Sequence, residues 1–360
     1  MIFQVIKPQL ATGTRKIANA YGEILLKTWR ELADVAHSEG GAPSRPGEDS
    51  LVTHFEEMLQ GLMHDSIHAE DQSYFRGLRF ALGAFHEAKR MKGVDSLLLR
   101  LYGPILFRSL RCANAVVRAQ ATMVFFDVFP LQDTDTTVTE ADVILQRQFD
   151  LLSSLLKDED HRVRAAAASG VCYILREYWE ALPTQTTHRI LSYVVGTLGL
   201  DSSSPSVRLA VISGLGQVLE QPLAHSVLKG LLPLLSNALH DKSQAVRLAF
   251  VRVLNQVKDI RGIHFYQIVN IEHIQRQLAA DASRPAIRAA ITELLLNSYY
   301  PQQQHTAQGA STSSITNNQN QVLRCLRFVR ENLSASVAFY SSLYKLTSVG
   351  SSSKVCFIFH

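Results

Sequence analysis

Six arginines recur along the 360-residue chain, at 79, 118, 164, 208, 247 and 288, so the intervals are 39, 46, 44, 39 and 41 residues. Each follows a Val, Leu or Ile. Four also follow an aspartate by six or seven residues: Asp158 before Arg164, Asp201 before Arg208, Asp241 before Arg247 and Asp281 before Arg288. The segment before Arg118 has Cys112 where the aspartate would stand, and a weaker copy pairs Asp71 with Leu78-Arg79. A pattern repeated at near-fixed spacing must be explained by one structural unit used several times.

Apolar spacing identifies the unit. In "DKSQAVRLAFVRVLNQV", Val246, Ala249, Phe250, Val253, Leu254 and Val257 are three or four residues apart, one face of an α-helix. Upstream, "SVLKGLLPLLSNALHD" holds a second stripe, with Pro233 positioned to kink it. No segment alternates with period two long enough to require a strand. Each unit therefore reads as helix A, a turn opened by aspartate, then helix B. Helix pairs repeating about every 40 residues predict an all-α HEAT-repeat α-solenoid, a right-handed superhelix of antiparallel pairs. The expected organisation is a helical segment and Gly/Pro-rich loop over 1–50, the solenoid over 51–300, a disordered polar insert over 301–320, and further repeats over 321–360. Ending on the apolar "SSSKVCFIFH" without a polar cap, the chain reads as part of a longer array.

The repeated residues have a structural reading. Asp158, Asp201, Asp241 and Asp281 can accept hydrogen bonds from turn N–H groups that lack helical partners. Arg118, Arg164, Arg208, Arg247 and Arg288 sit at the edge of the buried stripe, within reach of an aspartate in their own or a neighbouring unit. They are expected to form a ladder rather than to bind ligand directly.

Residues outside the repeat pattern are the better candidates for recognition. Residues 131–160 hold eight acidic and two basic side chains, net −6, whereas 241–300 hold eight basic and five acidic, net +3. Over the whole chain the net charge is +4, which permits an anionic partner without requiring one. Lys242, Arg252, Lys258, Arg261, Arg284, Arg324, Arg327 and Arg330 are the candidate contacts to a phosphate backbone, which such residues would follow without reading sequence. An ordinary solvated surface is the competing explanation.

Signals for chemistry are weak. "HDSIH" places His64 and His68 four residues apart, as in a zinc-protease helix, but without the usual glutamate or a third ligand. No phosphate loop or nucleophile elbow occurs. "SGLGQV" reads as a close helix approach, and the aromatic "FYSSLYKL" as core. The four cysteines form no CxxC pair, which argues against a zinc knuckle or disulfide framework. No catalytic residue, metal or cofactor is expected, and no membrane association.

Three stretches carry a more specific resemblance: "LLLRLYGPILFRSLRCANAVVRAQATMVFFDVFPLQD" (97–133), "LLKDEDHRVRAAAASGVCYILREYWEALP" (155–183) and "LLSNALHDKSQAVRLAFVRVLNQVKDIRGIHFYQI" (234–268). They resemble the G-type HEAT subunits of condensin II, from about residue 20 to about 350. The resemblance implies a non-enzymatic nuclear scaffold acting in mitotic chromosome condensation. It implies binding to the condensin II kleisin, and through it to the SMC ATPase pair and the other HEAT subunit. With the kleisin, it implies sequence-independent contact with double-stranded DNA. A protein–protein adaptor without nucleic-acid contact is the alternative from the HEAT character alone.

Overall fold

The computed structural model describes residues 2–38, 51–132, 137–300 and 312–348. Among these, every regular element is an α- or 3-10 helix. The chain divides into two compact units, residues 1–171 and 172–360.

The first unit holds α1 (Ile2–Thr12), α2 (Arg15–Ser38), α3 (Leu51–His68), α4 (Gln72–Glu87), α5 (Val94–Ser109), α6 (Ala115–Val128), α7 (Val138–Leu155) and the start of α8 (His161–Glu177). Helices α4 and α6 begin where the sequence supplies a side-chain cap. Asp71 accepts from the Ser73 and Tyr74 N–H groups, and Asn114 from those of Val116 and Val117. Helix α4 lies against α1, α2, α3 and α6. Phe75, Leu78, Leu82 and Phe85 supply its buried face. Close approach is needed at Gly170, where an added Cβ would lie 2.0 Å from the Phe126 ring.

The second unit holds α9 (Thr184–Gly196), α10 (Pro205–Val218), α11 (His225–Leu231), α12 (Gln244–Lys258), α13 (Phe265–Ile268), α14 (Ile271–Ala280), α15 (Pro285–Tyr299), α16 (Thr312–Glu331) and α17 (Leu333–Ser348). The B helices α10, α12 and α15 stack in sequence, and α17 covers α14 and α15. Each buries the stripe that begins at Val207, Val246 or Ile287, all fully buried. Pro233 does more than kink its helix. The α-helix gives way at Leu232 to a 3-10 run through His240, because proline offers no N–H and its ring opposes the preceding turn. In "SGLGQV", a Cβ on Gly216 would meet Gln256 Oε1 at 2.9 Å, so α10 and α12 approach closely there.

Each unit is a stretch of HEAT-type α-solenoid. The 38–50 loop lies outside the described residues except for Ser38, as does the terminal "SSSKVCFIFH". Of the polar 301–320 insert, 301–311 also lie outside them, but 312–320 are helical where disorder is expected. They extend α16 backward from the segment anchored on α15 by Gln321, whose side chain donates to the Tyr300 carbonyl at 2.7 Å. Propagating an existing helix costs far less than nucleating one.

Candidate functional site

The repeated arginines and aspartates meet across successive helix pairs. Arg118 donates from Nε and Nη2 to both Asp158 oxygens, each at 2.9 Å. Arg208 makes the same fork to Asp241 at 2.6 and 2.9 Å, and Arg247 to Asp281 at 2.9 and 2.9 Å. The third donor, Nη1, turns back to the arginine's own unit. It reaches the carbonyls of Cys112 and Ala113 from Arg118, Asp201 from Arg208, and Asp241 and Lys242 from Arg247. Arg164 holds the Asp158 and Glu159 carbonyls in the same way. Sequence leaves open whether an arginine serves its own or the neighbouring unit. It serves both, a carbonyl at home and a carboxylate next door.

The aspartates are equally shared. Asp241 Oδ1 accepts from the Ser243 N–H at 2.7 Å, Asp158 from that of Asp160 at 2.8 Å, and Asp201 from those of Ser203 and Ser204. The carboxylate thus closes the turn, while Ser204 caps α10 itself by accepting from the Ser206 N–H. Burial alone would raise these carboxyl pKa values. Together, the hydrogen bonds from Arg118, Arg208 and Arg247, the further hydrogen bonds from the Asp160 N–H, the Ser243 N–H, and Gln277 and Arg284, and the arginine charges outweigh it and hold Asp158, Asp241 and Asp281 below the ordinary aspartate value. Dryness increases along the series: side-chain exposures are 16% and 13% for Arg118–Asp158, but 8% and 0% for Arg247–Asp281.

Two rungs depart from the pattern. With Cys112 in place of a turn aspartate, Arg79 instead forks onto Asp127 near the end of α6, at 2.6 and 2.7 Å. No repeat signal marks Asp127. Arg288 keeps the Nη1 bond to its own turn, at the Ala282 carbonyl, 2.7 Å, but its Nε is buried without a hydrogen bond.

The basic candidates fall on separate surfaces. Lys242 and Arg284 are exposed at the A–B turns, and Arg284 pairs with Asp281. Arg252 is exposed on α12, between the turn and the helix end. Lys258 and Arg261 lie at the far end of α12, roughly 20 Å from its start at 1.5 Å per residue. Lys258 Nζ is there 3.4 Å from the Glu293 carbonyl of α15. Arg324, Arg327 and Arg330 are exposed on α16, whose Cys325 contacts the Tyr299 carbonyl at the end of α15. Lys258, Arg261 and Arg324, beside Cys325, therefore lie at the ends of the B helices, Arg327 and Arg330 follow along α16, and Lys242 and Arg284 lie at the A–B turns.

The remaining motifs resolve into packing. His64 and His68 stack with ring centroids 4.3 Å apart, and Asp65 is engaged by Tyr74 Oη at 3.0 Å and Lys7 Nζ at 2.6 Å. Among the described residues, no group of three or more His, Cys, Asp or Glu could hold a metal ion. Phe339 of "FYSSLYKL" is fully buried, edge-on to Phe328 and Tyr299. No described helix is long and apolar enough to cross a membrane.

Fold and ladder define the class: a HEAT-type helical-repeat protein. A family model described as "Condensin II non structural maintenance of chromosomes subunit" matches residues 1–133. Over 97% of its length the chain is 31% identical to Condensin-2 complex subunit G2 of Danio rerio, and 33% identical to the proteins of that name from Mus musculus and Homo sapiens. The chain belongs to the family of this condensin II subunit and spans 28% of the length of those relatives. A solved structure, "Structure of the Pds5-Scc1 complex and implications for cohesin function", covers 84% of this chain and 59% of its own at 12% identity and a TM-score of 0.34, too low to carry an argument.

Proposed function

We propose that the chain is a scaffold segment of a condensin II complex. In this reading it binds the kleisin subunit, and through it joins the SMC ATPase pair and the second HEAT subunit on nuclear chromosomes. It has no catalytic role. The observation that carries the reading is the 31–33% identity, over 97% of the chain, to proteins named as a subunit of the condensin-2 complex.

DNA contact belongs to the same proposal. The basic residues best placed to share a phosphate backbone are Lys258, Arg261, Arg324, Arg327 and Arg330, which are not consumed by the ladder. Contact there would be electrostatic. Affinity for a duplex should then fall steeply with salt, log K changing by about −0.9 per phosphate neutralised.

The experiment is co-expression with a condensin II kleisin segment, followed by duplex binding of the purified pair across a salt series. Capture of the kleisin and a steep salt slope, reduced by charge reversal at Lys258, Arg261 and Arg324, are expected. Failure of kleisin capture would refute the scaffold reading. Capture with no duplex binding would favour the protein-only adaptor, which the dispersal of Lys242, Arg252 and Arg284 away from the other basic residues supports.

A further inference from the structure

His240 and His273 form a second histidine pair, and their ring nitrogens converge. His240 ends the 3-10 run that leads into the Asp241 turn, and His273 stands on α14, the next helix A. His240 Nε2 is 3.3 Å from His273 Nδ1, and both residues are exposed. The other edge of the His240 ring is held by a relay. Its Nδ1 is 2.7 Å from Gln277 Oε1, and Gln277 Nε2 is 2.7 Å from Asp281 Oδ2. An ionised carboxylate only accepts hydrogen bonds, so the amide turns its NH2 group to Asp281 and its oxygen to His240. His240 Nδ1 therefore carries the proton. In the uncharged ring Nε2 holds a lone pair, on the edge that faces His273.

We infer that His240 Nε2 and His273 Nδ1 chelate a divalent transition-metal ion of the zinc class, with water in the remaining positions. The separation supports this. At 3.3 Å the two nitrogens are farther apart than the roughly 2.9–3.0 Å of a good N–H hydrogen bond. Two zinc–nitrogen bonds of about 2.05 Å would span the same gap at an angle of about 107°, close to tetrahedral. The relay supports it too, because a hydrogen bond at the far ring nitrogen is what fixes the tautomer and orientation of a metal-ligating histidine. Imidazole favours zinc-class ions over magnesium and calcium, which prefer oxygen. With only two protein ligands the ion is exchangeable, unlike a structural zinc closed by four. When bound it clips one helix A to the next, beside the Arg247–Asp281 rung that Gln277 also supports. His64 and His68 instead stack ring on ring. The inference stands apart from the kleisin and DNA readings.

The test uses the full chain, treated with a chelator and then titrated with zinc chloride while the histidine ring signals are followed by NMR. The His240 and His273 rings should shift together and saturate at one ion for the pair, and magnesium chloride should move neither. H240Q and H273Q should each weaken zinc binding at this pair at least tenfold. Zinc should raise the thermal midpoint of the wild-type chain more than that of H273Q, since an ion that binds only the folded state stabilises it. H273A replaces H273Q if the latter folds poorly, and should lose affinity likewise. The inference is overturned if zinc at about 1 mM leaves the His240 and His273 rings unshifted. It is equally overturned if the only rings to respond are those of His64 and His68, or if neither H240Q nor H273Q changes the affinity.

Discussion

Arg247 and Asp281 show how much depends on a single side chain in this fold. The pair is almost dry, and Asp281 also receives Gln277 Nε2 at 2.7 Å. Substituting Arg247 by Met leaves a buried carboxylate short of its main partner, an effect of about 3–5 kcal/mol. Equilibrium urea unfolding should report it. The exposed Arg327–Glu331 pair, 3.7 Å apart on α16, serves as control, since its removal should cost at most about 0.5 kcal/mol. His86 gives a pH signature. Burial, followed by Lys89 and Arg79, pushes its pKa down from 6.5 to about 3. The unfolded chain binds this proton near pH 6.5 while the folded chain resists, so stability falls as pH drops from 6.5 towards 3. Asp241 and Asp281 act lower. Their stabilisation is complete above the ordinary value of 3.8 and is lost as pH falls below it. H86Q should flatten the upper limb of a pH–stability curve and leave the acid limb below 3.8 in place.

At the scale of elements, the repeat unit was legible because one physical requirement recurs: a turn to close and a neighbour to hold. Asp241, Val246 and Arg247 meet both needs within seven residues, so their spacing survives in the sequence. Partnerships made only once left no such trace. Asp127 completes the Arg79 rung from a helix end, and Glu56 joins Trp29 Nε1 at 3.1 Å to Arg100 Nη2 at 2.9 Å across α2, α3 and α5. Finding these from one sequence would require knowing which helices touch. Nor could the basic residues be sorted by surface beforehand, because Lys242 and Lys258 are close in sequence but at opposite ends of α12. Gly170 offers a test of helix spacing. Alanine there gains helix propensity but must displace the Phe126 ring, so G170A should destabilise by about 1–3 kcal/mol in thermal or urea unfolding. The equivalent change at Gly196, whose added Cβ would meet nothing within 4 Å, should not.

For the whole molecule, the two compact units carry one tryptophan each, Trp29 in the first and Trp179 in the second. Stability in repeat arrays is approximately a sum of local terms and nearest-neighbour couplings. R247M should therefore lower the urea midpoint read from Trp179, in a W29F background, more than the midpoint read from Trp29 in a W179F background. Identical shifts would mean that the chain unfolds as one cooperative block. The same division bears on partner mapping, since the family model covers 1–133 while the exposed α16 arginines lie in the other unit.

The ladder also sets where this protein can change length. From aspartate to arginine within a turn the count is six, seven, six and seven residues, whereas from arginine to the next unit's aspartate it is 40, 33 and 34 in the filled rungs. The first count varies by one residue only, because one guanidinium must reach its own turn carbonyl and the next carboxylate together. The second is free, since only the folded endpoints matter. Several residues added between Asp241 and Arg247 would misplace two rungs, while several added between helix B and the following helix A would misplace none. Lineages of such chains should accumulate insertions after their B helices and almost none inside their A–B turns.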